Sequence, residues 1–143
     1  MDAKQILSNL PYCPPFLFVD ELLHIDENSA IGTYTFKPTL DFYKGHFKNN
    51  PITPGVILTE TMAQIGLVCL GIYLLRDEPL NHNQIVMTSA AIDFLKPVLP
   101  GEKVTVISEK VYFRFNKLKC LVKMQNSKQE IVCAGTISGI IKS

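Results

Sequence analysis

One stretch of this 143-residue chain carries side chains able to move protons: it runs from Gly45-His46-Phe47 through Pro54-Gly55-Val56 to Glu60 and Gln64. Glu60 is the single formally charged residue in the apolar run Val56 to Leu75, about one turn into a predicted helix. Burial penalises its ionised form, so it is suited to act as a neutral acid that donates a proton. Gln64 follows four residues later and projects from the same helix face. His46 is the nearest candidate base in sequence. Pro54-Gly55, just ahead of the helix, leaves backbone N–H groups without intrahelical partners. Such groups sit at the positive end of the helix dipole and suit an oxygen that gains charge during reaction.

Each residue alone has a plainer reading. A Glu in the first turns of a helix commonly answers the dipole, and a loop His is commonly structural. Their convergence beside one helix start is what points to acid/base chemistry. Other chemistries lack their residues. His24 and His82 have no ligand-like spacing to His46, so no metal site is expected. No G-x-S-x-G, Walker or G-x-G-x-x-G pattern occurs. A net charge of +1 argues against a nucleic-acid binder, which needs a dominant basic face. Cys13, Cys69, Cys120 and Cys133 form no C-x-x-C pair and read as reduced thiols of a cytoplasmic protein. The opening Met-Asp-Ala-Lys-Gln lacks the basic-then-apolar order of a signal peptide. Thr59, Glu60, Thr61 and Gln64 crowd the first half of the apolar run, so a buried helix is expected there and not a membrane span.

The elements that must position this cluster follow from the pattern. Asp2 to Leu10 is expected as a short helix capped by Asp2 and stopped by Pro11. Phe16 to Ile25 reads as a strand, Asp26-Glu27-Asn28-Ser29 as a turn and Ala30 to Phe36 as the hairpin partner. Pro38 to Pro54 reads as an irregular connection. The helix expected from about Val56 to Arg76 is apolar nearly all round, which demands burial on most sides. Gly66 and Gly71 inside it each cost about 1 kcal/mol relative to Ala. That is tolerable where a wrapping sheet comes very close. After Pro79 and the Asn81-His82-Asn83 loop, four strands are expected: Gln84 to Lys96, Lys103 to Phe113, Leu118 to Gln125 and Glu130 to Ile141. Their short connections suggest an antiparallel meander. The sum is one α+β domain over residues 1–143.

The stretch from Gly45-His46-Phe47 through Pro51, Pro54-Gly55-Val56 and Glu60 to Ala63-Gln64 resembles the signature of the 3-hydroxyacyl-acyl-carrier-protein dehydratases of FabZ type. That signature runs roughly G-H-F-P-x-x-P-x-x-P-G-V-x-x-x-E-x-x-A-Q. Leu10-Pro11 through Pro15-Phe16-Leu17-Phe18-Val19-Asp20 is similar to the family's opening L-P-x-x-x-P-F-L-x-V-D. Ala91 to Glu102 is similar to its later segment ending in F-x-x-P-V-x-P-G-D. The matches run in order along nearly the whole chain.

The resemblance implies a hotdog fold, an antiparallel sheet wrapped round one long helix. It implies His46 as catalytic base and Glu60 as catalytic acid. It puts substrate binding at Gly55, whose N–H would hold the thioester carbonyl, at neighbouring Val56, and at Gln64, which would orient the leaving water. Glu at position 60, where the isomerising FabA branch has Asp, favours plain dehydration. The substrate would be a (3R)-3-hydroxyacyl chain on the phosphopantetheine of an acyl carrier protein, and no metal or redox cofactor is required. The implied assembly is a homodimer with His46 of one chain opposite Glu60 of the other, with trimers of dimers as a further step. A hotdog thioesterase and a non-catalytic acyl-carrier-binding subunit are the alternatives. Lys48 stands where the family has proline after His-Phe, and Tyr12-Cys13-Pro14 replaces the usual His-Arg-Tyr. Lys48, Lys96 and Arg114 are the candidate basic patch for an acidic carrier.

Overall fold

Apolar side chains on every face of one helix need cover on every face, and a single curved sheet supplies it. The computed structural model describes residues 1–78 and 84–142. The loop expected at Asn81-His82-Asn83 lies outside the described residues. Helix α1 (Ala3–Ser8) opens on a capping box: Asp2 accepts from the Gln5 N–H at 2.9 Å and the Gln5 side chain accepts from the Asp2 N–H at 2.8 Å. Strands β1 (Glu21–Ile25) and β2 (Ser29–Thr35) form a hairpin. The irregular connection holds one short 3-10 turn, Asp41–Lys44.

The long helix follows as α2 (Gly55–Met62), a wider π-turn (Ala63–Val68) and α3 (Cys69–Leu74). It is long and apolar enough to cross a membrane, but two thirds of it (67%) is buried inside the sheet. Leu58, Met62, Ile65, Leu67 and Leu70 form the centre of the core. The glycines expected to permit close approach do so. A Cβ at Gly71 would fall 2.0 Å from the Ile85 δ-methyl, and one at Gly66 would fall 2.9 Å from Ser108 Cβ. Buried Ser108 also donates to the Gly66 carbonyl at 2.9 Å, inside the widened turn.

Strands β3 (Gln84–Phe94), β4 (Lys103–Arg114), β5 (Lys117–Gln125) and β6 (Ile131–Lys142) complete an antiparallel sheet of order β1-β2-β4-β5-β6-β3. Leu118, Cys120, Val122 and Met124 of β5 point inward, alternating with Lys119, Leu121 and Lys123, as a half-buried strand requires. This is the hotdog arrangement that the resemblance implies.

Two expectations are corrected. Only β4-β5-β6 is a meander; β3 pairs with β6 and not with β4, so Leu95 to Glu102 crosses to the far side of the sheet. The first strand starts at Glu21 and not at Phe16. The reason is local: the Phe18 N–H donates to the Gln64 side chain at 2.8 Å and the Phe16 carbonyl accepts from it at 3.1 Å, so neither pairs with a strand.

Candidate active site

His46 sits at the end of a loop held from three directions. Its N–H donates to the Phe42 carbonyl at 3.0 Å and its carbonyl accepts from Ile52 at 2.8 Å. Phe47 and Asn50 exchange backbone hydrogen bonds at 2.8 and 3.0 Å around Lys48-Asn49, with Asn49 left-handed at φ 60°. Below them the hydroxyls of Tyr43 and Thr53 share a hydrogen bond of 2.5 Å, and the Thr53 N–H donates to Val98 at 2.9 Å. The imidazole Nδ1 lies 2.9 Å from the Ile52 carbonyl oxygen. A carbonyl can only accept, so the Nδ1 carries the hydrogen, which in a neutral ring leaves the lone pair on Nε2. The Phe47 ring stacks on the imidazole at 3.9 Å between centroids. The half-buried histidine is thus oriented as a base.

His46 and Gly55 line one cavity of about 410 Å³, with Thr53, Leu58, Phe94 and Pro97. Pro54 precedes α2 and offers no side-chain cap. Gly55 contributes one of the helix-start N–H groups that have no intrahelical partner. The Phe94 ring closes over it: a Cβ at Gly55 would lie 3.1 Å from the ring. An oxygen seated beside His46 would meet a positive helix end, with an apolar wall to exclude water.

Glu60 is not among the residues lining this cavity. Its carboxylate accepts from Gln64 Nε2 at 2.9 Å. Gln64 is fully buried and uses its whole amide: Oε1 accepts from the Phe18 N–H at 2.8 Å, while Nε2 donates to the Phe16 carbonyl at 3.1 Å and to Glu60. The backbone partners settle which way the amide faces, because an N–H needs an acceptor and a carbonyl needs a donor. Both amide hydrogens are therefore committed. In this arrangement Gln64 holds the Glu60 carboxylate, and the second lone pair of its Oε1 is what is left to meet a water. Burial raises the Glu60 pKa above the ordinary carboxylate range, and the Gln64 hydrogen bond pulls the other way without cancelling it. Burial thus favours the protonated form of Glu60, with one oxygen held by Gln64 and the other without a hydrogen bond among the described residues.

His46 and Gly55 share the cavity, whereas Gln64, which holds Glu60, binds the backbone of Phe16 and Phe18. Val56 is 76% exposed at the helix start and lines no part of the cavity with them. The proposed basic patch does not form. Lys96 Nζ is hydrogen-bonded to the Glu130 carboxylate and the Arg114 guanidinium lies over the Tyr112 ring at 4.4 Å. Phe94 pairs with Cys133, whereas the β4–β5 turn at Lys117 pairs with Ile140. These positions are roughly 23 Å apart along β6 at strand rise, which puts Lys96 and Arg114 at opposite ends of the sheet. Two contributors went unread in the sequence. Phe94 and Pro97 carried a signal, the F-x-x-P segment, but no role had been attached to it. The Phe16 and Phe18 backbone groups carry no side-chain signal at all.

Comparison with known proteins identifies the family. A family profile described as the FabA-like domain matches residues 10–134. Over 147 residues the chain is 36% identical to the 3-hydroxyacyl-[acyl-carrier-protein] dehydratase FabZ of Sinorhizobium fredii, which covers 99% of this chain and 90% of that protein. It is 30% identical over 144 residues to the FabZ of Caldicellulosiruptor bescii, which covers 99% of both chains. Among solved structures, the dehydratase heterocomplex ApeI:P from Xenorhabdus doucetiae superposes with a TM-score of 0.79 at 10% identity, over 96% of this chain and 91% of that one. A thioesterase from Pseudomonas aeruginosa gives 0.69 at 10% identity, over 99% and 94%. The structural likenesses share the fold; the sequence likenesses, over nearly full length and including the His46 to Gln64 stretch, go further. This chain belongs to the FabA-like family, among whose members it is similar to the FabZ dehydratases.

Proposed function

We propose that this chain dehydrates a (3R)-3-hydroxyacyl thioester, carried on the phosphopantetheine of an acyl carrier protein, to the trans-2-enoyl thioester. The observation that carries the reading is the pairing of a base and an oxyanion site in one cavity: His46, with Nε2 free, beside the open helix start at Gly55. His46 removes a C2 proton. The charge that forms on the thioester oxygen is held by the Gly55 N–H, a type of contact typically worth roughly 3–4 kcal/mol. Glu60 protonates the C3 hydroxyl, and the C3–O bond breaks to release water. Side chains perform both proton transfers, so the reaction calls for no metal or redox group. The burial of its apolar helix within the sheet supports a core helix and not a membrane span.

The absence of Glu60 from the cavity lining supports a two-fold homodimer in which His46 of one chain works with Glu60 of its partner. Edge strand β3 is exposed along most of its length and ends beside the cavity at Phe94, which is 51% exposed. An open edge of that length is a pairing surface. A second copy laid against it would bring the two cavities to the shared interface and cover Val56.

One experiment tests reaction and assembly together. Inactive His46→Ala and Glu60→Gln proteins are denatured, mixed and refolded, then assayed on carrier-bound 3-hydroxyacyl substrate for enoyl absorbance and free thiol. In a mixed dimer one site receives both lesions and the other none. Random pairing then returns about a quarter of wild-type activity. Enoyl formation without thiol release is expected. Thiol release by the wild type would make the chain a thioesterase. A mixture that stays dead would place both residues in one chain's site.

A further inference from the structure

The loop that carries His46 has an exposed tip and a buried base. Gly45 and the run from Phe47 to Pro51 are open to solvent, whereas Tyr43 and Thr53, where the two arms of the loop enter the core, are only 6% and 3% exposed. Across that base runs the 2.5 Å bond between the Tyr43 and Thr53 hydroxyls. Among the described residues it is the one hydrogen bond between side chains that joins the two arms, and neither hydroxyl makes a second one. Both arms lead directly to the imidazole. Tyr43 follows Phe42, whose carbonyl receives the His46 N–H at 3.0 Å. Thr53 follows Ile52, whose carbonyl lies 2.9 Å from His46 Nδ1 and whose N–H donates to the His46 carbonyl at 2.8 Å. The hydroxyl bond thus sets the spacing between the two carbonyls that hold the His46 main chain and ring. A buried polar pair adds little net stability over an apolar pair of the same shape. What it adds is a defined length and direction.

We propose that Tyr43 and Thr53 are positioning residues for His46: their hydroxyl bond holds the Ile52 carbonyl where it keeps the imidazole hydrogen on Nδ1 and leaves Nε2 to take the C2 proton. The use made of Nε2 rests on the dehydratase reading; the tautomer does not. With the clasp removed, Ile52 is still tied to the core through the neighbouring Thr53 N–H on Val98, so the loop stays folded while its carbonyl loses its fixed aim. An imidazole with a less well-placed acceptor at Nδ1 spends part of its time with the hydrogen on Nε2, and that form has no lone pair there.

The test takes wild type, Tyr43→Phe, Thr53→Val, Thr53→Ser and the double variant Tyr43→Phe/Thr53→Val. Each is melted, assayed on carrier-bound 3-hydroxyacyl substrate, and examined by NMR at the His46 ring nitrogens, with His46→Ala used to assign them. Tyr43→Phe leaves a buried hydroxyl without a partner and should lower Tm by roughly 3–12 °C. The double variant removes that orphan and should regain most of the lost Tm. Its kcat should nevertheless stay about 10- to 100-fold below wild type, the loss that follows a misplacement of up to about 1 Å. Its imidazole should show a larger share of the tautomer with hydrogen on Nε2. Thr53→Ser keeps the hydroxyl and loses the methyl, so it should retain more kcat than Thr53→Val; a packing role predicts the reverse order. A double variant whose kcat returns with its Tm, or whose tautomer matches wild type, overturns the proposal, as does Thr53→Val at least as active as Thr53→Ser. A wild type that forms no enoyl product would overturn the dehydratase reading, and the tautomer comparison would then decide the positioning role by itself.

Discussion

Replacing Gln64 with methionine keeps the length and volume of the side chain and removes all of its polar contacts at once. The Phe18 N–H loses its acceptor and the Phe16 carbonyl its donor, both beside a fully buried position. An orphaned buried donor costs about 1–3 kcal/mol. With the carbonyl included, the expected destabilisation is about 2–4 kcal/mol. At the usual scaling for a protein of this size, that lowers Tm by about 5–15 °C at fixed protein concentration. The effect on chemistry has a definite sign. Burial raises the Glu60 pKa and the Gln64 N–H lowers it, by favouring the anion. Without that N–H the pKa rises further, so Glu60 keeps its proton to higher pH. Because Glu60 acts as an acid, the high-pH limb of the rate profile should move to higher pH in Gln64→Met. The maximum rate should fall by about 10- to 100-fold, since the carboxyl is no longer aimed. Circular-dichroism melts and enoyl absorbance across the pH profile measure both effects. A high-pH limb that stays put or moves down, or a Tm equal to wild type, refutes the argument.

The raised pKa of Glu60 also carries a stability prediction. The folded state holds this proton more tightly than the unfolded chain, so folding is weakened as pH rises from the unfolded carboxyl value through the folded one. Glu60→Gln should therefore melt above wild type at neutral pH, with the gap closing as pH falls well below about 4, where both states are protonated; a gap constant with pH would contradict the shift. Gly55→Ala should reduce kcat by about 10- to 1,000-fold, because the methyl lands 3.1 Å from the Phe94 ring and displaces the N–H that meets the oxyanion. The additional change Phe94→Leu should relieve part of that loss, and no relief in the double variant would show that the ring is not what the methyl meets.

The sequence made the helix legible almost to the residue, because a mostly apolar run of that length has few other resting places. The strands of β4, β5 and β6 were equally clear from alternation and turn residues. What failed was anything decided by a partner far away in sequence. Phe16 to Phe18 has every mark of a strand, yet its backbone is taken by Gln64, whose own letter says only that it is polar. The neighbour of β3 could not be read from short connections, since the segment after Lys96 passes under the His46 loop, where Val98 receives the Thr53 N–H. Within the site, His46 and Glu60 stood out as chemical types in apolar surroundings. That only His46 of the two lines the cavity with Gly55 was not visible from their spacing. The supposed basic patch failed for a related reason, because Lys96 and Arg114 are drawn to opposite ends of one sheet.

The contact between Gly71 and Ile85 acts as a keyway. With room for only a hydrogen where the isoleucine methyl enters, the helix can neither slide along its axis nor roll against β3. Glu60 lies roughly 16 Å up the same rod, at helical rise, so its height above the sheet is set from below by that notch. A larger residue at the notch would lift the rod or turn it. A displacement of about 1 Å at the reacting groups is enough to slow a reaction about a hundredfold. The alignment of the acid is in this sense machined into a glycine three turns away.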